Sequence, residues 1–270
     1  MFVRSMVLMA AALVHPIPES YDATLHGNCR IMSAVFYQGG CSACAAFASA
    51  SSLSMRACLL ENEDYIPSPY RLFDCASASC QNGTTLRRTG DALMAGIPDL
   101  VDSPQWFGVG CEHRQTSGLQ LLYGYVVGTS RAMKLDLLLF GPTMVAIDGT
   151  HEVLRYQQGV FHPRPQGDED TDDIQHSVVL VGWGAHPEPH WVILNSWSRR
   201  WGEEGKAKVA LHAFRSHYAW RTRSEAIVEG SIVLAYFGFL LVLVSICAVF
   251  LPDDDVRLEW CREEGVGRSI

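Results

Sequence analysis

The segment Q-G-G-C-S-A-C-A-A-F-A-S, residues 38–49, places two glycines and two cysteines before a run of small, helix-forming residues. This order is typical of a loop that runs into a helix. Cys44 would then lie at the helix N-terminus, where free N–H groups and the helix dipole favour an anion. Because the thiolate and not the thiol is the nucleophile, this position suits a reactive cysteine.

A reactive cysteine needs an imidazole as its partner, and the imidazole needs a group that orients it. Two downstream segments offer these groups. His176 lies in D-D-I-Q-H-S-V-V-L-V-G-W-G, and Asn195 lies in W-V-I-L-N-S-W-S-R-R-W-G.

Together the three segments resemble the papain family of cysteine peptidases, in which C-G-[SA]-C-[WY] is followed by His and Asn roughly 130–150 residues later. Agreement of three segments in order and spacing is far more specific than one short motif. The resemblance implies a papain-like α+β fold with a helical lobe and a β-barrel-like lobe. It also implies cleavage of peptide bonds in protein or peptide substrates, without a cofactor and without a metal ion.

The resemblance gives a role to each matching residue. Cys44 attacks the peptide carbonyl, and His176 holds the thiolate as an ion pair and then protonates the leaving amine. Asn195 orients the imidazole, as Asp does in serine triads. Trp197, in N-S-W, shields the Asn–His hydrogen bond from water.

Two further positions match residues that face the substrate. Gln38, six residues before Cys44, matches the side chain that stabilises the oxyanion of the tetrahedral intermediate. Gly83, in C-Q-N-G, matches a turn glycine that pairs with the extended substrate backbone because no Cβ intervenes. Asn82 replaces the preceding glycine of the family and tolerates positive φ, so we expect the turn to survive.

Seven of the nine cysteines lie in the first 111 residues, which is many for a reducing compartment. Without Cys44 six remain, an even number as a disulfide framework requires, and the residues alone leave fifteen connectivities open. The resemblance implies the pairs Cys41–Cys80, Cys75–Cys111 and Cys29–Cys58. The last pair is similar to the cathepsin B-like branch, as are residues 17–23, I-P-E-S-Y-D-A.

The patterning divides the folded part of the chain into two lobes. Residues 17–118 would form the helical lobe, because apolar residues recur at helical spacing after Cys44. Residues 119–214 would form the β-rich lobe, around a short helix at 135–140. Its expected strands are 121–127, 144–147, 177–181 and 190–194.

Apolar segments flank these lobes. Residues 1–16 are typical of a signal peptide, with a buried helix as the alternative. Residues 228–251 predict a transmembrane helix, because the 22 uncharged positions from residue 230 would span roughly 33 Å. Residues 252–270 would form a short cytoplasmic tail. We therefore expect a membrane-anchored protein whose catalytic domain is lumenal or extracellular, in the secretory pathway or a lysosome-like compartment.

The charge balance narrows the possible partners. With 29 acidic and 21 basic residues the net charge is −8, so we expect no nucleic-acid partner, and the oligomeric state stays open. The acidic run at 168–173 is typical of a solvated loop. Because residues 17–23 come so early, we expect no long inhibitory prosegment in this chain.

Two other functions fit parts of the sequence. Cys41-x-x-Cys44 matches a redox dithiol, but this leaves His176 and Asn195 unexplained. An inactive binding protein of the same fold is the second, because Ala45 stands where the family has an aromatic residue, which would leave a cavity beside the nucleophile. If the protein is a peptidase, we expect an endopeptidase. The occluding loop that makes cathepsin B trim dipeptides has a histidine pair and more cysteines. Here the segment that follows Cys111 offers one histidine, His113, and there is no further cysteine before the predicted membrane segment.

Overall fold

The structure is a computed structural model, and it describes residues 17–113, 121–125, 129–148, 151–163, 175–214 and 216–222. The helices are α1 (Cys44–Glu61), α2 (Pro69–Cys75), α3 (Leu86–Ala95), α4 (Ser130–Phe140) and α5 (His151–Leu154). The strands are β1 (Tyr21–Asp22), β2 (Leu121–Tyr125), β3 (Thr143–Asp148), β4 (Val160–Phe161), β5 (Gln175–Gly184), β6 (His190–Leu194), β7 (Lys206–Ala210) and β8 (Ser216–Thr222). Helices dominate before residue 113 and strands after residue 121, so the described chain is an α+β fold.

Helix α1 is central, because every residue from Ala45 to Cys58 is buried. Its many Ala and Ser residues allow close packing on all sides, and buried hydroxyls need partners. Three serines of α1 find them in Thr89, the Pro142 carbonyl and the Ala50 carbonyl, at 3.0, 2.8 and 2.7 Å. The helix ends at Asn62, whose left-handed backbone (φ 56°) closes the last turn.

The described strands form one sheet in the order β2-β8-β3-β5-β6-β7-β4, with β1 paired to β5. Neighbouring strands are antiparallel except β4 and β7, which are parallel. Strand β5 lies in the middle of this order and carries His176 near its start. The sheet therefore places His176 on a central strand, where it pairs with Ile147 of β3.

Strand β5 is buried on both faces, which explains why its sequence is a continuous apolar run. Val179 and Val181 pack into the core around α1. Val178 and Leu180 pack into the second core, which also contains side chains of β3, β6, β7 and α4. Strand β5 therefore lies between the two hydrophobic cores and contributes side chains to both.

A buried ion pair also links the two cores. Arg56 of α1 places Nη2 3.0 Å from Oδ2 of Asp136 in α4, and the side chains are 0% and 8% exposed. The Arg56 guanidinium also lies 5.9 Å from the centre of the Phe140 ring. Both charges are almost completely removed from water, so loss of this ionic partner should be costly.

Three disulfides are present among the described residues, and their pairs are those that the resemblance implied: Cys29–Cys58, Cys41–Cys80 and Cys75–Cys111. Cys29–Cys58 joins an N-terminal loop to the end of α1, and Cys41–Cys80 joins the loop before α1 to the turn that follows α2. Cys75–Cys111 joins the end of α2 to the segment around residue 111, so the three bonds crosslink the loops of the helical lobe.

No helix in the described ranges has both the length and the hydrophobicity that a membrane crossing requires. The helix expected at 228–251 and the tail at 252–270 lie outside the described residues, as do the apolar segment at 1–16 and the acidic run at 168–173. The expected lobe boundary at 118–119 also lies outside them. These parts of the sequence reading stay predictions.

Candidate active site

Cys44 is the first residue of α1 and the free cysteine among the described residues. The preceding residue, Ala43, has no side-chain acceptor to cap the first turn. The first N–H groups of a helix lack intrahelical partners, and this end carries the positive pole of the dipole. The fold therefore provides a half-buried sulfur with an anion-stabilising environment.

The surroundings of Cys44 lower the pKa of its thiol. Burial by itself raises this pKa, because it disfavours the charged thiolate. A hydrogen bond with the His176 side chain and the charge of that imidazole lower it, as do hydrogen bonds from the backbone N–H groups of Ser177 and Ala45. The net shift of the pKa is downward, so the thiolate forms more readily than it does in an ordinary cysteine, in spite of burial.

The imidazole of His176 is held by Asn195, with Nε2 2.8 Å from Oδ1. The same Oδ1 lies 2.8 Å from the backbone N–H of Ser196. An N–H can only donate, so this second contact identifies the Asn195 atom as the oxygen. His176 must then donate through Nε2, which leaves Nδ1 as the nitrogen available to Cys44.

The indole of Trp197 covers this pair. Its ring stacks on the His176 ring with centroids 4.4 Å apart and an angle of 21° between the planes. His176 is 5% exposed and Asn195 is 3% exposed. The hydrogen bond between them is therefore shielded from water.

Gln38 is buried beside these residues with a defined amide orientation. Its Nε2 donates to the Cys41 carbonyl at 2.8 Å, and its Oε1 accepts from the Ser196 hydroxyl at 2.5 Å. Its backbone N–H also donates to the Ser196 carbonyl at 2.9 Å. Because an amide nitrogen carries two hydrogens, one N–H of Gln38 is left for another acceptor.

Ser196 is a residue of the site that the sequence reading missed. Its N–H fixes Asn195 and its hydroxyl fixes Gln38, so one residue positions both amides. The only sequence signal for it is its place between Asn195 and Trp197. The backbone N–H of Ser177 was missed as well, because a backbone contact leaves no trace in residue type.

Gly83 lies against the loop that precedes Cys44. Its φ is +68°, and a Cβ built on it would lie 2.8 Å from the Ser42 carbonyl oxygen. Its N–H also closes a turn with the Ser79 carbonyl at 2.7 Å. Asn82 does not take the positive φ; the glycine does. The turn thus requires glycine at position 83 for the fold itself, whatever it binds.

Two observations bear on the alternative functions. Cys41 is bonded to Cys80, so Cys41 and Cys44 do not form a dithiol pair in this structure. Ala45 is 3% exposed, so the residue that stands in place of the family's aromatic is buried.

The chain matches known proteins over most of the described region. The family described as "Papain family cysteine protease" matches residues 17–219. Cathepsin K of Mus musculus is 30% identical over 205 residues, which cover 72% of this chain and 60% of that protein. Cathepsin L of Sarcophaga peregrina is 29% identical over 220 residues, which cover 75% and 63%. The chain thus spans less than two thirds of the length of these relatives.

Solved structures show the same fold. Digestive procathepsin L 3 of the Tenebrio molitor larval midgut superposes with a TM-score of 0.66 at 23% identity, covering 76% of this chain and 70% of that one. ProCathepsin B S9 from Trypanosoma congolense gives 0.68 at 21% identity, covering 78% and 80%. At these identities the similarity concerns the fold alone.

Proposed function

The chain belongs to the papain family of cysteine proteases, and from this premise we propose that it cleaves peptide bonds through Cys44, His176 and Asn195. The observation that carries the proposal is the setting of Cys44. A free thiol lies at an uncapped helix N-terminus, and its pKa is lowered by an imidazole that Asn195 holds. A protein that only binds peptides has no need of an activated thiolate.

The hydrogen bonds of the candidate site support the following route for the proton. With Nε2–H engaged by Asn195, Nδ1 of His176 takes the proton of Cys44 and holds the thiolate as an ion pair. The thiolate attacks the carbonyl carbon, and Nδ1–H then protonates the leaving amine. Water hydrolyses the thioester, with His176 as the base that activates it. Trp197 keeps water away from the His176–Asn195 bond throughout.

The oxyanion of the tetrahedral intermediate would be stabilised by Gln38 and by the backbone N–H of Cys44. One N–H of the Gln38 amide is engaged by Cys41, and the second is the donor that this role requires. Loss of one such donor typically costs about 2.7–4 kcal/mol, or roughly 10²–10³ in kcat. Gln38→Ala should lower kcat by this factor with a much smaller change in KM.

We extend the proposal to the finer assignments. The buried Cys29–Cys58 bond fits a cathepsin B-like origin, and the single His113 fits an endopeptidase. Gly83 would contact the backbone of the substrate. Residues 17–118 and 119–214 would be the two lobes of a lumenal or extracellular domain, and β8 (Ser216–Thr222) extends the sheet of the second lobe beyond the predicted boundary at 214. A helix at 228–251 would anchor this domain in a membrane.

Turnover of a dipeptidyl fluorogenic substrate tests the proposal. Cys44→Ala should abolish turnover while the circular dichroism spectrum of the folded protein stays unchanged. An epoxide thiol label, located by peptide mapping, should modify Cys44, and the His176→Ala variant should suppress this reaction. His212→Ala, at an exposed position, is the control and should behave like the parent.

Equal turnover in Cys44→Ala and the parent would refute the assignment. If Cys44 takes no label and the parent shows no turnover, the chain is a binding protein of the papain fold.

A further inference from the structure

A group of potential metal ligands lies away from Cys44, where α2 ends. The Sγ atoms of Cys75 and Cys111 and a ring nitrogen of His113 all lie within 4.8 Å of one another. Within the described ranges no other trio of His, Cys, Asp or Glu comes so close. The two cysteines form a disulfide in this structure, and one residue separates Cys111 from His113.

The imidazole of His113 lies between a carbonyl and a sulfur. Its Nδ1 lies 3.2 Å from the Gly96 carbonyl, and its Nε2 lies 3.2 Å from Sγ of Cys111. A carbonyl only accepts, so Nδ1 carries a hydrogen, and Nε2 is the ring nitrogen left to bind a metal ion. A carbonyl behind the distal nitrogen is the usual partner of metal-binding histidines.

The disulfide is also open to a reductant. Cys75 is half-buried and Cys111 is exposed, whereas Cys29 and Cys58 are both buried. The Cys41–Cys80 bond is exposed at Cys80 but has no third ligand atom beside it. Of the three described bonds, only Cys75–Cys111 therefore combines access with a histidine.

We propose that reduction of the Cys75–Cys111 disulfide creates a zinc site formed by the two sulfurs and Nε2 of His113. A dithiol reductant transfers two electrons and two protons, so the S–S bond breaks, two thiols form and the reductant becomes a disulfide. Zn²⁺ then displaces both thiol protons and binds two thiolates and one neutral imidazole. The disulfide keeps the site closed, and reduction opens it.

The spacing of the ligand atoms suits zinc. Zn–S bonds of about 2.3 Å and Zn–N bonds of about 2.0 Å place tetrahedral ligands roughly 3.5–3.8 Å apart. The observed distance from Sγ of Cys111 to Nε2 of His113 is 3.2 Å, so a shift of a few tenths of an ångström is sufficient. After reduction the two sulfurs would have to move apart to the same spacing, and solvent would supply the fourth ligand.

The test uses the Cys44→Ala variant, because Cys44 with His176 would otherwise bind zinc too. The folded variant is treated with limited dithiothreitol, and alkylation mapping identifies which bond opens. Zinc affinity is then measured by competition with a chromophoric chelator, and Co²⁺ absorption reports thiolate ligation. We expect the Cys75–Cys111 bond to open first and one zinc ion to bind only after reduction.

His113→Ala separates the proposed site from two bare thiols. Loss of the partner behind a ligand already costs roughly 10–100-fold in metal affinity, so loss of the ligand should cost at least that much. His212→Ala, at an exposed histidine outside the group, should leave the affinity unchanged. The proposal is overturned if the folded protein keeps this disulfide under conditions that open the others. Zinc binding without reduction, or equal affinity in His113→Ala, overturns it as well.

Discussion

The buried ion pair between Arg56 and Asp136 gives the sharpest prediction about stability. Asp136→Ala leaves a guanidinium that is 0% exposed without the carboxylate 3.0 Å away. Breaking a buried pair from one side typically costs about 3–5 kcal/mol, because the remaining buried charge loses its ionic partner. The ring of Phe140, 5.9 Å from the guanidinium, offsets only part of this, since a desolvated cation–π contact contributes about 2 kcal/mol.

Thermal unfolding with intact disulfides and alkylated Cys44 measures this cost. At about 2–4 °C per kcal/mol for a domain of this size, Asp136→Ala should lower Tm by roughly 6–20 °C. Two controls sharpen the reading. Asp64→Ala, which breaks the exposed pair with Arg30 at 2.8 Å, should cost about 1 kcal/mol or less. The double variant Arg56→Met with Asp136→Leu should regain most of the lost stability, since apolar residues often replace a buried pair without loss.

A loss below about 1 kcal/mol in Asp136→Ala would refute the reasoning, because loss of a buried ionic partner costs more than that. A double variant as unstable as the single one would also refute it. In that case shape and packing at this position, and not charge, would hold α1 and α4 together.

Two further predictions concern the loop and the sulfur of the site. Gly83→Ala should lower the free energy of unfolding in urea more than Gly39→Ala does. Both glycines have a φ near +67°, which costs about 1–2 kcal/mol for alanine, but only the Cβ at position 83 meets the Ser42 carbonyl. Equal losses in the two variants would contradict the clash. Alkylation of Cys44 should stay fast as pH falls below the ordinary thiol pKa and should slow only as pH passes the lowered pKa of the folded protein. In His176→Ala the rate should fall at a higher pH. Identical pH profiles in the two proteins would rule out the imidazole as the cause of the lowered pKa. By the same linkage, Cys44 adds stability at high pH that is lost as pH falls through its folded pKa.

The local patterns of the sequence predict most of the helices and strands. Apolar spacing after Cys44 predicts α1, and the predicted strand at 190–194 is β6 as observed. Helix α4 begins at Ser130, five residues before the predicted start, because Thr129 caps it by accepting from the Ala132 N–H at 3.2 Å. Its buried positions Met133, Leu137 and Phe140 follow the helical period, so the signal was present and was read too narrowly.

The weaker elements were missed for physical reasons. Strand β7 reads K-A-K-V-A, and its alanines have little intrinsic preference for strands; its pairing with β6 decides its structure. Helix α3 carries Gly90 in its interior, which weakens any prediction from propensity. In both cases tertiary packing supplies what the local sequence lacks.

The candidate site also combines features that the local sequence predicts with features that it does not. Order and spacing single out Cys44, His176 and Asn195, since these depend on residue type. The hydrogen bonds through Ser196 depend instead on how two distant segments meet, and the partners Ser196 and Gln38 are separated by 158 residues. The pairing of Arg56 with Asp136, 80 residues apart, is equally invisible to local patterns.

The two-faced burial of β5 has a consequence for how the protein tolerates change. His176 is carried by this strand, and Cys44 is carried by the helix that packs against it, so no linker or hinge intervenes between sulfur and ring. A methyl group added or removed at Val179 would be transmitted directly to the gap between them. Residues that do not contact a substrate thus help to set the distance between Cys44 and His176. Substitutions along β5 should therefore lower the reactivity of the thiol before they unfold the chain.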